Sequence, residues 1–482
     1  MNAGLDSRSI VTTLGRLYFP VLGCALGWFA LSGMLWLLPV YFSVAYIILG
    51  LTLVSVVRLS RDVLNPLLLV LCLGIIRFSV PGFLALKSDP DFLIFQIMGL
   101  ERNEWILGHA LALAGLLGVV IGWLLPVQLF GSRQRLPPIG ASLNIGLSRS
   151  VPYAASLGML LGFAALFVFV GSHVSVSEAV STGEMRGTEI QEGTGKYFIL
   201  SFMLIASSVV FSSYLIERRH IWWVTCSPAI VAAVSFGVLG GRVRAFVPIA
   251  CVALLLWYRR NELKVPVRTG FALALVLLPV FSYVGQLYRG GLGVDAFSRI
   301  FSLSSLTEYV NYAPWLEWGQ LHSLAGAILV GPGVLEGRTF TALLWPLTKF
   351  VDLPGKSAGV FIVQTLVGMG ERKWSLHATL IGDAYLNFGI LGVFVVTAVF
   401  GLLLRNAYTA FRQGAIGAPY YSLALVYSLR IFFESVEKWG EGLVMIVFAF
   451  LLIKVGPRLL NITPDRGSVS DNVGVVSNRY EY

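Results

Sequence analysis

The sequence predicts an all-α, polytopic integral membrane protein of about twelve transmembrane helices joined by one long external loop that contains short helices. Three observations predict it. Of the 482 residues, 56% are hydrophobic and only 12% are charged, about half the charged share of a soluble domain. Mean hydropathy is +0.79. Apolar runs of roughly 20 residues, the length that crosses a bilayer as a helix, recur from end to end.

In chain order the predicted spans are 17–35, 39–57, 63–84, 105–126, 151–171, 197–216, 221–240, 245–258, 269–286, 385–404, 419–434 and 440–453. Alternate loops carry Arg58/Arg61, Arg133/Arg135/Arg149, Arg218/Arg219, Arg259/Arg260/Lys264/Arg268 and Arg405/Arg412. With the tails (Arg8/Arg16 and Lys454/Arg458/Arg466/Arg479), they hold more than half of the 35 lysines and arginines. Basic residues stay on the cytoplasmic side, so both termini are expected there. The chain divides into a tail (1–16), nine spans (17–287), a large periplasmic loop (288–376), three spans (377–453) and a polar tail (454–482).

The N-terminus MNAGLDSRSIVTTLGR is polar and basic, and the apolar run Leu17–Leu38 exceeds a signal h-region, so no cleavable signal peptide is expected. Cys24, Cys72, Cys226 and Cys251 all fall inside apolar runs. They read as small packing residues, not as a disulfide framework or a metal cluster.

The loop between Tyr288 and His377 is too long to be structureless in a compact protein. Residues 297–330 have helical periodicity and group Tyr309, Tyr312, Trp315 and Trp318 with Glu308 and Glu317. That mix suits an aromatic belt lying in the interface, and flat rings beside carboxylates also suit sugars.

Chemistry concentrates between Trp374 and Arg405, where Ser375, His377, Thr379, Asp383, Tyr385 and Asn387 run directly into an apolar helix. Ionisable groups at the mouth of a span are costly and point to function. No Gly-rich phosphate loop with its lysine, no HExxH and no Cys/His metal spacing occurs. The external connection near Leu37–Val40 lacks the acidic residue that many lipid-phosphate-sugar transferases carry there. Metal-dependent transfer is thereby disfavoured, and no metal, cofactor or nucleic-acid partner is expected. What remains is a set of arginines expected on the external side: Arg186, Arg242, Arg244, Arg289, Arg338 and Arg372. Guanidinium groups donate in pairs and keep their charge, which suits pyrophosphate recognition. The Asp383 carboxylate and the His377 imidazole are the groups at that mouth able to exchange a proton.

The run GDAYLNFGILGVFVVTAVFGLLLR resembles the closing signature of the O-antigen polymerases, the Wzy-type oligosaccharide repeat-unit polymerases, through Gly382, Asp383, Tyr385, Asn387, Phe388, Gly389 and Gly392. Upstream, Arg186 before Gly195 and Tyr197, Gly240–Arg242, Tyr288-Arg289 and Gly337–Phe350 with Pro346 follow the family's order. Nine residues separate Arg372 from Gly382, one fewer than the Arg-x10-Gly spacing of some members. The resemblance implies a GT-C-like architecture and transfer of a glycan from undecaprenyl pyrophosphate at the periplasmic face of the bacterial inner membrane. It further implies catalytic roles for Asp383, His377, Arg289 and Arg338. Arg186, Arg242, Arg244, Arg372, Tyr385 and Asn387 would bind substrate. Its implied partners are undecaprenyl-pyrophosphate-linked glycans, the bilayer and a chain-length-regulating co-polymerase. O-antigen ligases share the architecture. A lipid-linked oligosaccharide flippase would instead need charges deep in its spans, where only Arg77 and Arg430 are basic.

The charge pattern makes a direct prediction. In a cysteine-free background, single cysteines at positions 289, 338 and 372 should react with an impermeant maleimide added outside spheroplasts. Reaction only after lysis would invert the topology.

Overall fold

The computed structural model describes residues 62, 64–79, 102–125, 147–172, 195–238, 242–260, 320–340, 358–367, 378–436 and 438–459. Among the described residues every regular element is a helix. They are α1 (Pro66–Gly74, continued by a π turn Ile75–Ser79), α2 (Arg102–Leu124), α3 (Val151–Gly171), α4 (Gly195–Glu217), α5 (Trp222–Val238) and α6 (Arg242–Tyr258). There follow α7 (Leu321–Val330), α8 (Ala358–Val367), α9 (Thr379–Arg412), α10 (Ala418–Phe433), α11 (Lys438–Phe450, then a π turn Leu451–Val455) and α12 (Gly456–Leu459).

Five described stretches are long and apolar enough to cross a membrane: Leu107–Leu124, Val151–Gly171, Gly195–Glu217, Thr379–Arg412 and Lys438–Arg458. Their outer faces carry large apolar side chains. On α3 these include Leu157, Leu160, Leu161, Phe163 and Phe167, and on α9 Ile390, Leu391, Val395 and Val399. Apolar surface of that extent is stable against lipid rather than water, so this is a membrane protein.

The predicted spans 105–126, 151–171, 197–216, 221–240, 245–258, 419–434 and 440–453 each meet a helix with ends within a few residues. Span 63–84 is helical from Pro66 to Ser79 in its described part. Spans 17–35, 39–57 and 269–286 lie outside the described residues, and with them part of the predicted twelve. Two expectations change. The predicted 385–404 span starts earlier and ends later, at Thr379 and Arg412, and it is not continuous: Gly389 has φ 68° and ψ −162°. The predicted loop 288–376 is not all outside the bundle. Its helix α7 is buried, with Leu321, Leu324, Ala325 and Ala327 at most 1% exposed. Leu321 and Ala325 face Gly108 of α2, while Leu324 and Ala327 face Gly382 of α9.

Small residues set the helix spacing. Where α2 crosses α9, a Cβ at Gly118 would meet the Thr397 side chain, at Gly122 the Ala398 carbonyl and at Gly401 the Val119 carbonyl. Where α3 crosses α4, Gly158 meets Ser207 and Gly162 meets the Leu204 backbone. In lipid there is no hydrophobic force between helices, so close backbone approach of this kind carries much of the association. Three of the buried serines of α4, Ser201, Ser208 and Ser213, donate to carbonyls of Phe198, Ile205 and Val209 in their own helix, while the buried Ser207 and Ser212 hydroxyls have no hydrogen-bond partner among the described residues.

Polar contacts mark the two ends of the bundle. At one end Asp62 Oδ2 accepts from the hydroxyls of Tyr408 (2.6 Å) and Tyr258 (3.5 Å), and Arg412 donates to the Tyr408 hydroxyl at 2.9 Å. Tyr421 of α10 stacks on Phe411 with ring centres 4.0 Å apart. The other ends of α6, α9 and α10 carry Arg244, Asp383 and Arg430. Arg244 and Tyr258 lie roughly 21 Å apart along α6 at 1.5 Å per residue.

The α2–α9 crossing yields a stability prediction. Gly122→Leu should lower unfolding stability in detergent by about 3 kcal/mol, because the Ala398 carbonyl cannot move aside as a side chain can. Gly171→Leu, where nothing lies within 4 Å of a Cβ, should leave stability unchanged.

Candidate functional site

The first turns of α9 carry polar residues four apart, Thr379, Asp383 and Asn387, a spacing that places them on one helical face. All are buried, at 0%, 1% and 3% exposure. Each of them holds a different piece of chain. The Thr379 hydroxyl accepts from the Gly382 N–H at 3.1 Å, capping the helix it opens. Its backbone N–H donates to the Glu434 carbonyl at 2.8 Å. Asp383 Oδ2 accepts from the Val436 N–H at 2.9 Å. The Asn387 amide donates to the Asp383 carbonyl at 2.6 Å and to the Thr339 hydroxyl, and its Oδ1 accepts from the Thr339 N–H at 3.4 Å. Thr379 adopts φ 61°, an uncommon conformation for a β-branched residue, which marks a strained position held by its surroundings.

The break at Gly389 explains why the 331–340 turn docks here. A helix that stops leaves its last carbonyls without partners, and in a membrane protein those groups need protein donors. The Tyr385 carbonyl accepts from the Gly333 N–H at 3.1 Å, and the Leu386 carbonyl from the Leu335 N–H at 2.9 Å. The turn achieves this shape through positive φ at Gly331, Gly333, Glu336 and Gly337. Phe340 packs on Phe388 with ring centres 5.4 Å apart.

Below the Thr379–Asp383 contacts lies a charge network. Arg430 donates from Nε and Nη2 to Glu434 at 2.8–3.2 Å and from Nη1 to Glu441 Oε2 at 2.9 Å. Glu441 Oε1 also meets Arg244 Nη2 at 3.2 Å and Lys438 Nζ at 3.5 Å. Arg244 lies over the faces of Phe198 (4.6 Å) and Phe202 (5.7 Å) of α4. Arg77 stands over Phe433 at 5.3 Å. The network therefore draws on α4, α6, α10 and α11, and Asp383 ties it to α9.

Of the residues singled out by sequence, the fold connects Arg244, Asp383, Tyr385, Asn387 and Arg338. Asp383 and Asn387 act as struts. Tyr385 is 8% exposed and holds the turn through its carbonyl. Arg338 rides on that turn, with its side chain 78% exposed and Nη2 4.0 Å from Glu336 Oε2. Arg242 opens α6, and its side chain lies outside the described residues. Arg186, Arg289, Arg372 and His377 also lie outside them. Sequence reasoning missed Glu434 and Glu441 and treated Arg430 only as a basic residue within a span. An arginine followed four residues later by a glutamate at a predicted membrane boundary was the available signal. Among the described residues no group of three His, Cys, Asp or Glu could hold a metal ion.

Asn387→Ala should destabilise the protein by about 1–3 kcal/mol, since it strands buried groups on Thr339. Added to Thr339→Val it should cost much less than it does alone. Full additivity in detergent unfolding would contradict the pairing.

Residues 333–432 match the family model described as "Putative O-antigen polymerase". No curated protein and no solved structure matches the chain. The matched stretch begins in the turn that bears Arg338 and ends just past Arg430, so it contains the whole Thr379–Asp383–Asn387 face. The resemblance read from the late-span signature therefore stands over residues 333–432: that stretch is an O-antigen polymerase family match.

Proposed function

We propose that the protein is a polysaccharide polymerase of the O-antigen type. In this reading it moves a growing glycan from undecaprenyl pyrophosphate to the non-reducing end of one lipid-linked repeat unit. The reaction takes place at the periplasmic face of a bacterial inner membrane. One observation carries the reading: the stretch that matches the family is also the stretch whose buried polar face fastens the helix break, the Arg338 turn and the arginine network together.

The acceptor hydroxyl oxygen bonds to the anomeric carbon as the bond from that carbon to the diphosphate oxygen breaks. The bonding pair leaves with undecaprenyl pyrophosphate, and the acceptor proton passes to a base. Charge grows on the departing diphosphate, so fixed guanidinium donors favour the transition state over the ground state. Arg244 and Arg338 take this role, joined by Arg289 and with Arg186, Arg242 and Arg372 extending the basic surface. Asp383, enclosed and committed to the Val436 N–H, suits positioning better than proton transfer, which leaves His377 as the base. The donor carries its own leaving group, so the reading requires no nucleotide, metal or other cofactor. A co-polymerase that sets chain length is the expected protein partner.

The test is purified protein in nanodiscs with a synthetic lipid-linked repeat unit. A product ladder that persists in EDTA is expected, and Arg244→Ala or Arg338→Ala should each slow its growth on the order of 100-fold. Transfer only to lipid A core would make the protein a ligase instead. Movement of the lipid across the bilayer without lengthening would make it a transporter.

A further inference from the structure

Glu441 is 2% exposed and meets cations from three places in the chain: Arg244 of α6, Arg430 of α10 and Lys438 one turn before it. A buried carboxylate within a bundle of membrane helices is costly, and it persists only with partners of this kind. The three cations do not share one fate. The Arg430 side chain is 9% exposed, and all three of its nitrogens are engaged by Glu434 and Glu441. Its donors are used for structure. Lys438 is 16% exposed. Arg244 is the most open, at 26%, and only its Nη2 meets a carboxylate. Its Nε is buried without a hydrogen-bond partner. Phe198 and Phe202 support the flat face of its guanidinium.

A guanidinium fixed by one carboxylate oxygen and two rings, with donor capacity left over, is pre-organised for a further anion. We propose that Glu441 is a positioning residue: anchored by Arg430, it aims Arg244 at an anionic diphosphate group. This rests on the polymerase reading for the identity of the ligand, and it adds the residue that makes Arg244 effective. Among the described residues, Glu434 meets Arg430, while Glu441 meets Arg430, Arg244 and Lys438.

The experiment titrates inorganic pyrophosphate into the full-length protein in nanodiscs and reads thermal stabilisation, which requires no polymerase activity. Wild type should be stabilised. Glu441→Gln keeps the shape but loses the charge, and should weaken the apparent affinity about tenfold, with Arg244→Ala weakening it similarly. The double variant should be no weaker than Arg244→Ala alone, and Glu441→Asp should recover part of the loss. If Glu441→Gln unfolds the protein, the same comparison is made with Glu441→Asp against Arg244→Ala. Overturning results are unchanged pyrophosphate affinity in Glu441→Gln, effects that add fully to those of Arg244→Ala, or no stabilisation of wild type. Pyrophosphate binding that follows this pattern in a protein that makes no polymer would remove the polymerase reading and leave the positioning role of Glu441 intact.

Discussion

A helix interrupted at Gly389 must find donors for the carbonyls that the break leaves over. In α9 those donors are the Gly333 and Leu335 N–H groups. Water is scarce beside a lipid-facing span, and an unsatisfied backbone group there costs several kcal/mol. The requirement ties a turn about 50 residues earlier in the chain to the N-terminal part of α9, and with it Arg338. Asn387 secures the same joint from the side-chain level, through Thr339. Beyond the break, Ile390, Leu391, Val395 and Val399 face outward. The 22 residues from Ile390 to Phe411 would extend about 33 Å, near the thickness of a hydrocarbon core. The break therefore separates a buried polar segment from a lipid-facing one.

The buried charges follow from the same geometry. Glu434 and Glu441 flank the connection between α10 and α11, while Thr379 and Asp383 grip that connection through the Glu434 carbonyl and the Val436 N–H. Buried ion pairs are weak contributors to stability when compared with apolar packing, but losing one partner of such a pair is severe. Among the described residues, Arg244, Arg430 and Lys438 are thus held together by Glu434 and Glu441. At the opposite end Asp62 gathers Tyr258, Tyr408 and, through Tyr408, Arg412. The helices are thus pinned at both ends, and the glycine crossings between them set the spacing.

Much of this was legible in the sequence because lipid imposes a coarse rule: a span must be apolar and long. Helices α2 to α6 and α10 to α11 follow from hydropathy to within a few residues. The late-span signature, Gly382 through Gly392, was legible as a family resemblance, and residues 333–432 bear it out. The break was less visible. Gly389 stood in a run that reads as unbroken helix, since a glycine permits a left-handed φ but does not demand one. Likewise α7 carries apolar residues with helical spacing, which suit an interfacial helix and a buried one equally well.

Composition, hydropathy and charge alternation determined that this chain is a bundle of membrane helices with its arginines grouped by loop. The separations in sequence could not say which of those arginines would be confined and which would stay open. Arg430 and Arg244 are alike as residues. One has all three nitrogens engaged by Glu434 and Glu441, and the other is held by a single nitrogen over two phenylalanine rings. That difference arises from how α4, α6, α10 and α11 meet, and pairing across 197 residues is decided only when the helices pack.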